Sequence, residues 1–153
     1  MKLTPQAIEH LLDHWPVARL GTLAEDGRPH QIPVVFVRCG EALWTPIDGK
    51  PKAGGLLART RNVRRDPKVS LLLDHYEDDW KRLWWLRVDG SAEVHNPADP
   101  EADPEIAPVL AALRHKYPQY RDVPLLSGRP TLIRVQTLDV QSWCAAPEAF
   151  AAA

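Results

Sequence analysis

From Val17 onward the chain is cut into short alternating runs, each ended within a few positions by a turn residue. Successive side chains of a strand point to opposite faces, so such runs read as strands with one buried face. The clearest break is Asp26-Gly27, between Val17-Ala18-Arg19-Leu20-Gly21-Thr22-Leu23 and the run Ile32 to Val37, which predicts a hairpin. Pro33 lies near the start of the return strand. A proline there suits an edge, a bulge or a first strand position, not the middle of a ladder. Gly40 marks the next turn and Leu43-Trp44-Thr45 the next strand. Val69 to Leu73 is nearly all apolar and reads as a strand buried on both faces. Leu83 to Val94 is a long strand, and Thr131 to Val135 the last one. Short strands joined by hairpins point to an antiparallel barrel rather than a doubly wound sheet. The expected fold is mainly β with flanking helices.

Helices are expected at the edges. Thr4-Pro5 reads as an N-cap with proline in the first helical position, and Ile8, Leu11, Leu12 and Trp15 then share one face up to Pro16. Leu56, Leu57, Thr60 and Val63 carry a short helix that stops before Asp66-Pro67. Asn96 to Pro104 reads as a linker, and Ile106, Val109, Leu110 and Leu113 form another helix face with Pro108 in its first turn. A length of 153 residues fits one domain, taken as residues 1–144, with 145–153 as a flexible C-terminal tail.

The net charge of −1 gives no general case for nucleic acid or membrane binding. No run approaches the ~20 apolar residues of a membrane span, and no apolar stretch after Met1-Lys2-Leu3-Thr4-Pro5 suggests a signal peptide; a cytoplasmic location is expected. Cys39 and Cys144 lie far apart, outside any CxxC pattern, and read as buried or half-buried thiols. His10 and His14 stand four apart, but Glu9 precedes them, which is not HExxH; they read as exposed helix residues, and no metal site is expected.

Two features carry chemistry. Lys50, Lys52, Arg59, Arg61, Arg64, Arg65 and Lys68 face a single acid, Asp66, within one short stretch. That suits a clamp for phosphate or carboxylate groups, although Arg64, Arg65 and Lys68 serve equally as a solvated helix face. The second feature is Leu83-Trp84-Trp85-Leu86-Arg87-Val88-Asp89-Gly90. Its alternation puts Trp85 and Arg87 on one face, Trp84 and Leu86 on the other. No GxGxxG, P-loop, GxSxG or clustered Cys/His set occurs. Without a recognisable nucleophile and base, a cofactor is expected to supply the reactive atom, and no catalytic side chain is assigned.

These runs resemble a known family. Ala18 to His30 resembles the opening hairpin of the pyridoxamine 5'-phosphate oxidase-like split β-barrel superfamily, Ile32-Pro33-Val34-Val35-Phe36 its second strand, and Leu43-Trp44-Thr45-Pro46 its third. Arg59 to Leu71, with Asn62 and Asp66-Pro67-Lys68-Val69-Ser70-Leu71, is similar to the basic helix and following strand of its deazaflavin-dependent branch. Asp48-Gly49-Lys50-Pro51-Lys52, Asp74-His75-Tyr76 and Asp79 to Trp85 look like one subgroup of the proteins that use coenzyme F420.

The resemblance implies a split β-barrel homodimer with cofactor sites at the subunit interface. Pro33, Val34, Thr45, Pro46 and Ile47 would line the ring, while Lys50, Lys52, Arg59, Arg61 and Asn62 would hold the phosphate and acidic tail. Trp85 and Arg87 would come from the strand offered by the partner subunit. It implies an F420-dependent oxidoreductase passing hydride to or from a small organic molecule, with His75, Tyr76 or a water as proton source. FMN in the same fold, or a carrier without turnover, are the alternatives. Gln141-Ser142-Trp143-Cys144 is followed by an Ala-rich tail with no arginine beyond Arg134, which argues against a vitamin B6 phosphate as substrate.

Overall fold

The computed structural model describes residues 1–47, 57–126 and 128–151. Seven strands form one antiparallel sheet among these residues: β1 (Ala18–Leu23), β2 (Pro29–Val34), β3 (Val37–Cys39), β4 (Ala42–Pro46), β5 (Lys68–His75), β6 (Trp84–His95) and β7 (Leu132–Cys144). Their order is β2-β1-β5-β6-β7-β4-β3. Laid flat, with ~4.8 Å between neighbours, β2 and β3 would stand about 29 Å apart. Yet Val34 ends β2 and Val37 begins β3, and three residues reach at most about 11 Å. The sheet must therefore curl until its two edges come together, with Val35-Phe36 as the joint. The expected mainly β barrel with flanking helices is the observed architecture.

Three details of the sequence reading are corrected. Ile32 to Val37 is not one strand: the chain leaves one edge of the sheet after Val34 and enters the other at Val37. Pro33 sits in the edge strand β2, where a missing N–H is tolerated. β5 is not buried on both faces; Val69, Leu71 and Leu73 point inward while Ser70 and Leu72 are half-buried on the outside. β7 does not stop at Val135 but runs to Cys144, pairing with β6 along its length. Its outward polar residues hid that continuation.

The barrel interior holds Leu20, Leu43, Leu71, Leu73, Trp84, Leu86, Val88 and Ile133. Helix α1 (Pro5–His14) adds Ala7, Leu11 and Leu12 to the same cluster, and Thr4 caps it by accepting from the Ala7 N–H at 3.2 Å. A second cluster joins the outside of β3 and β4, through Val37, Ala42 and Trp44, to Ile106, Val109, Leu110 and Leu113 of α3 (Ile106–Lys116). Between them runs α2 (Ala58–Arg65), the short helix expected before Asp66-Pro67. In the stretch read as a loose tail, Glu148–Ala151 forms a helical turn, α4, whose Ala149 is buried and whose Phe150 meets the His10 ring edge-on. Cys39 is half-buried and Cys144 buried, both as free thiols. Among the described residues no helix is long and apolar enough to cross a membrane.

The joint is held from α3. The Tyr117 hydroxyl accepts from the Phe36 N–H at 3.0 Å and faces the carbonyls of Phe36 and Pro16 at 2.9 and 2.8 Å. Lys116 Nζ donates to the Phe36 carbonyl at 3.0 Å and stands 3.7 Å from the centre of the Phe36 ring. Arg38 of β3 ties the same edge to α1, with a two-pronged contact to Asp13 (2.8 and 2.7 Å) and a further one to Glu9. The Asp13 bond raises the Arg38 pKa, with burial opposing it. Burial pushes the Tyr117 hydroxyl up to about 12, the Phe36 bond pulling the other way. It pushes Lys116 down to about 8, with Asp13 partly offsetting it.

Curling also needs the bulge between Asp89 and Gly90. A Cβ on Gly90 would lie 2.6 Å from both the Gln136 carbonyl oxygen and Val135 Cγ1. Since the first is backbone, Gly90→Ala is expected to cost at least the ~1–3 kcal/mol typical of overpacking, measured by urea unfolding; an unchanged midpoint would refute the close approach. Tyr117→Phe leaves the buried Phe36 N–H without its acceptor and is expected to cost about 1–3 kcal/mol. The wild type keeps the Tyr117 proton longer when folded, so that contribution is full below the ordinary value of 10.0 and is lost as pH climbs towards 12. Tyr117→Phe should flatten that alkaline loss, and parallel pH–stability curves for the two proteins would contradict the assignment.

Candidate functional site

Curling of the sheet brings together residues from strands that are far apart in sheet order. Val37 pairs with Trp44, so the residues before Val37 run beside those after Trp44. Val34, at the end of β2, and Ile47, just past β4, belong to the same apolar cluster. Thr45 lies between β3 and Ile133 of β7, and Pro46 pairs with Leu132; both are buried. The Thr45 hydroxyl has no hydrogen-bond partner, an unsatisfied polar atom in an otherwise apolar setting, where such a group usually finds one. Pro33 is exposed on β2 opposite Arg19. Of the expected ring-lining set, Val34, Thr45 and Pro46 are buried, Ile47 is half-buried and packs against the same barrel core as Val34, and Pro33 is exposed.

A chain of hydrogen bonds anchors the basic helix to this same end of the barrel. Arg64 of α2 donates to Asn96 Oδ1 at 2.6 Å; Asn96 donates to Thr131 Oγ1 at 2.8 Å and to the Pro130 carbonyl at 3.0 Å. The Thr131 carbonyl in turn accepts from the Ile47 N–H at 3.0 Å. Arg59 is half-buried and Arg61 exposed on this helix. Arg65 donates to the Leu23 carbonyl at 2.6 Å and to Asn62 Oδ1 at 2.9 Å. Arg64 and Arg65 are exposed yet bonded into the fold, and Lys68 is exposed at the start of β5. Lys50 and Lys52 lie outside the described residues.

Asn62 points inward. It is buried, and its amide donates to Thr22 Oγ1 at 3.0 Å while its oxygen accepts from Arg65. These bonds use one of its two amide N–H groups and its oxygen, which leaves the second N–H as the donor it could offer an anion. Thr22, Asn96 and Thr131 are the residues that sequence reasoning missed here: a strand threonine and an asparagine in a Pro/Asp/Ala stretch carry no motif.

On the outer face of the sheet the predicted alternation is seen. Trp84, Leu86 and Val88 are fully buried inside, while Trp85 is half-buried and Arg87 exposed outside. Trp85 lies between Asp74 of β5 and Trp143 of β7, and Arg87 between Leu72 and Gln141, with Asp89 at 3.3 Å. They stand on the outer surface of the sheet, opposite the core against which Val34 and Ile47 pack. His75 Nε2 is 2.5 Å from Glu77 and its ring stacks on Trp84; Tyr76 beside it is exposed. His10 and His14 are exposed with ring centres 4.5 Å apart. Among the described residues no group of three or more His, Cys, Asp and Glu side chains is arranged to hold a metal ion.

A flavin-type ring coenzyme is the group the resemblance implies. The buried Pro46, the half-buried Ile47 and the unsatisfied Thr45 hydroxyl suit a planar ring with polar edges, and Ile47 is tied to the basic helix through Thr131, Asn96 and Arg64.

Solved structures share the fold. HutZ, the haem storage protein of Vibrio cholerae, is 20% identical over 94% of this chain and 95% of its own, with a TM-score of 0.70. A FAD-binding protein of Mesorhizobium loti is 19% identical, with coverages of 93% and 95% and a TM-score of 0.66. An F420 reductase is 22% identical, with 87% and 94% covered and a TM-score of 0.59. At such identities the likeness concerns the barrel alone, which these proteins use for different ligands. The family model of pyridoxamine 5'-phosphate oxidase, however, matches residues 4–144. Because that match runs from the cap of α1 to the last residue of β7, the chain belongs to the pyridoxamine 5'-phosphate oxidase family of split β-barrels.

Proposed function

We propose that the chain is a small oxidoreductase that binds a flavin-type coenzyme, FMN or the deazaflavin F420, and exchanges hydride with a small organic molecule. The observation that carries this reading is the hydrogen-bond chain that links the basic helix through Arg64, Asn96 and Thr131 to Ile47, next to the buried Pro46 and the unsatisfied Thr45 hydroxyl. When bound, the coenzyme supplies the hydride chemistry. Val34, Pro46 and Ile47 exclude water from the ring, and Thr45 Oγ1 offers a hydrogen bond to a polar ring edge. Arg59, Arg61, Lys50 and Lys52 hold the anionic end. A second copy of the chain closes the slot with its Trp85 and Arg87, which explains why those side chains stand on the outer face. His75, oriented by Glu77, and the exposed Tyr76 are candidates to pass a proton.

Family membership and the FAD-binding fold neighbour favour FMN. The width of the basic stretch from Lys50 to Lys68 favours F420, whose phosphodiester and oligoglutamate tail carry more charge than a single phosphate. A second reading, a carrier that holds its coenzyme without turnover, is supported by the neighbour named for haem storage.

Titration of the apo-protein with FMN and with F420, followed by fluorescence, should give saturable binding of one of them; failure of both to bind would remove the proposal. Hydride oxidation by the loaded protein with candidate acceptors separates the enzyme from the carrier. Lys50→Ala with Lys52→Ala is expected to weaken binding at least tenfold, since a charge-assisted hydrogen bond contributes about 1.5–3 kcal/mol. For F420 the loss should grow with tail length. Equal affinity of the double variant would show that this loop does not touch the coenzyme.

A further inference from the structure

Three polar contacts converge on Phe36 from outside the slot. Lys116 Nζ binds its carbonyl and covers its ring, and the Tyr117 hydroxyl takes its N–H. Facing two carbonyls with one proton, that hydroxyl donates to one of them at a time. An apolar pair in the same space would leave the Phe36 N–H and carbonyl unpaired, so the joint is held by polar groups although a half-buried ammonium carries a desolvation cost. Lys116 has no direct carboxylate partner, because Asp13 and Glu9 of α1 are both bonded to Arg38. The Tyr117 and Lys116 bonds fix the backbone of Phe36 at the one point where the barrel edges meet. The residues just before Phe36 are Val35 and Val34, and Val34 lines the proposed slot.

We propose that Lys116 and Tyr117 are positioning residues for the coenzyme slot: by fixing Phe36 they set where Val34 stands. This rests on the slot being the coenzyme site. Neither residue touches the ring.

Ionisation of Lys116 gives the clamp a signature. The charged and titratable groups facing it are Asp13 of α1, with Glu9 behind it, Arg38 of β3, and Tyr117 with Tyr120 packed on its ring. Tyr117, held at about 12, titrates well above the lysine. Seated on Phe36 the amine titrates at about 8, and released into water at the ordinary 10.5. The seated form binds fewer protons, so raising the pH across that window favours the seated clamp, by at most about tenfold per pH unit. Coenzyme affinity should rise with it.

The test measures the Kd for FMN and F420 as a function of pH for the wild type, Lys116→Met, Lys116→Arg and Tyr117→Phe. The Phe36 amide resonance is followed by NMR without coenzyme, on protein whose fold is verified by circular dichroism. Lys116→Met is expected to weaken binding about tenfold at neutral pH and to abolish both the rise above pH 8 and the titration of the Phe36 resonance. Lys116→Arg should recover neutral-pH affinity without the rise, and Tyr117→Phe should weaken binding yet keep the rise. A wild type that binds coenzyme, beside a Lys116→Met protein with the same affinity and pH profile, would overturn this inference and leave the proposed function standing. A wild type that binds neither coenzyme would remove both.

Discussion

Two residues, Val35 and Phe36, span the distance between opposite edges of a seven-stranded sheet, and the rest of the architecture answers to that constraint. A flat sheet would pull the joint apart, so the strands must twist and coil into a barrel. Curvature is concentrated where β6 and β7 slip register at Gly90, the position where the backbone of Gln136 approaches too closely for any side chain. The long β6–β7 ladder then acts as the spine on which β4 and β3 are carried round to meet β2. α1 fills the barrel's open end with Ala7, Leu11 and Leu12 rather than with another strand.

The polar atoms buried along this path are placed with economy. Phe36 is at the joint, so its N–H and carbonyl lack ladder partners and are satisfied by Tyr117 and Lys116. Asn62, Thr22, Asn96 and Thr131 do the same for the junction between α2 and the sheet. Thr45 Oγ1 is buried without a partner, as is Trp84 Nε1 inside the barrel. Fold and candidate site are in this sense one arrangement: the slot lies where the curled sheet leaves its edges joined by chain rather than by ladder.

The barrel hosts several chemistries among its fold neighbours, whose names mention haem, FAD and F420. What separates them lies in side chains around a common scaffold, so function here is argued from the slot and its charges, not from the fold. The basic helix illustrates how a charge cluster divides its labour. Arg64 and Arg65 are bonded to Asn96 and Leu23 and hold the helix in place, so a run of like charges on one helix is partly structural.

Much of this was legible in the residues themselves, wherever a local rule decides the outcome. Asp26-Gly27 makes its turn with Gly27 at φ 83°, Thr4-Pro5 starts α1, and Trp84 and Trp85 part to opposite faces because a strand allows nothing else. The break after Val34 was not legible. Val34-Val35-Phe36-Val37 has strand-forming residues throughout and no turn residue, so nothing local marks the change of edge; only closure of the whole sheet requires it. Nor could sequence show that Asn62 turns inward to Thr22, or that Ile47 is tied through Thr131 and Asn96 to Arg64, since both depend on elements brought together from distant parts of the chain. Sequence determined the elements, their faces and the charge available, because propensity and periodicity act over a few residues. Tertiary structure alone decided which of those residues meet, because that is set by the reach of a short joint across a curled sheet.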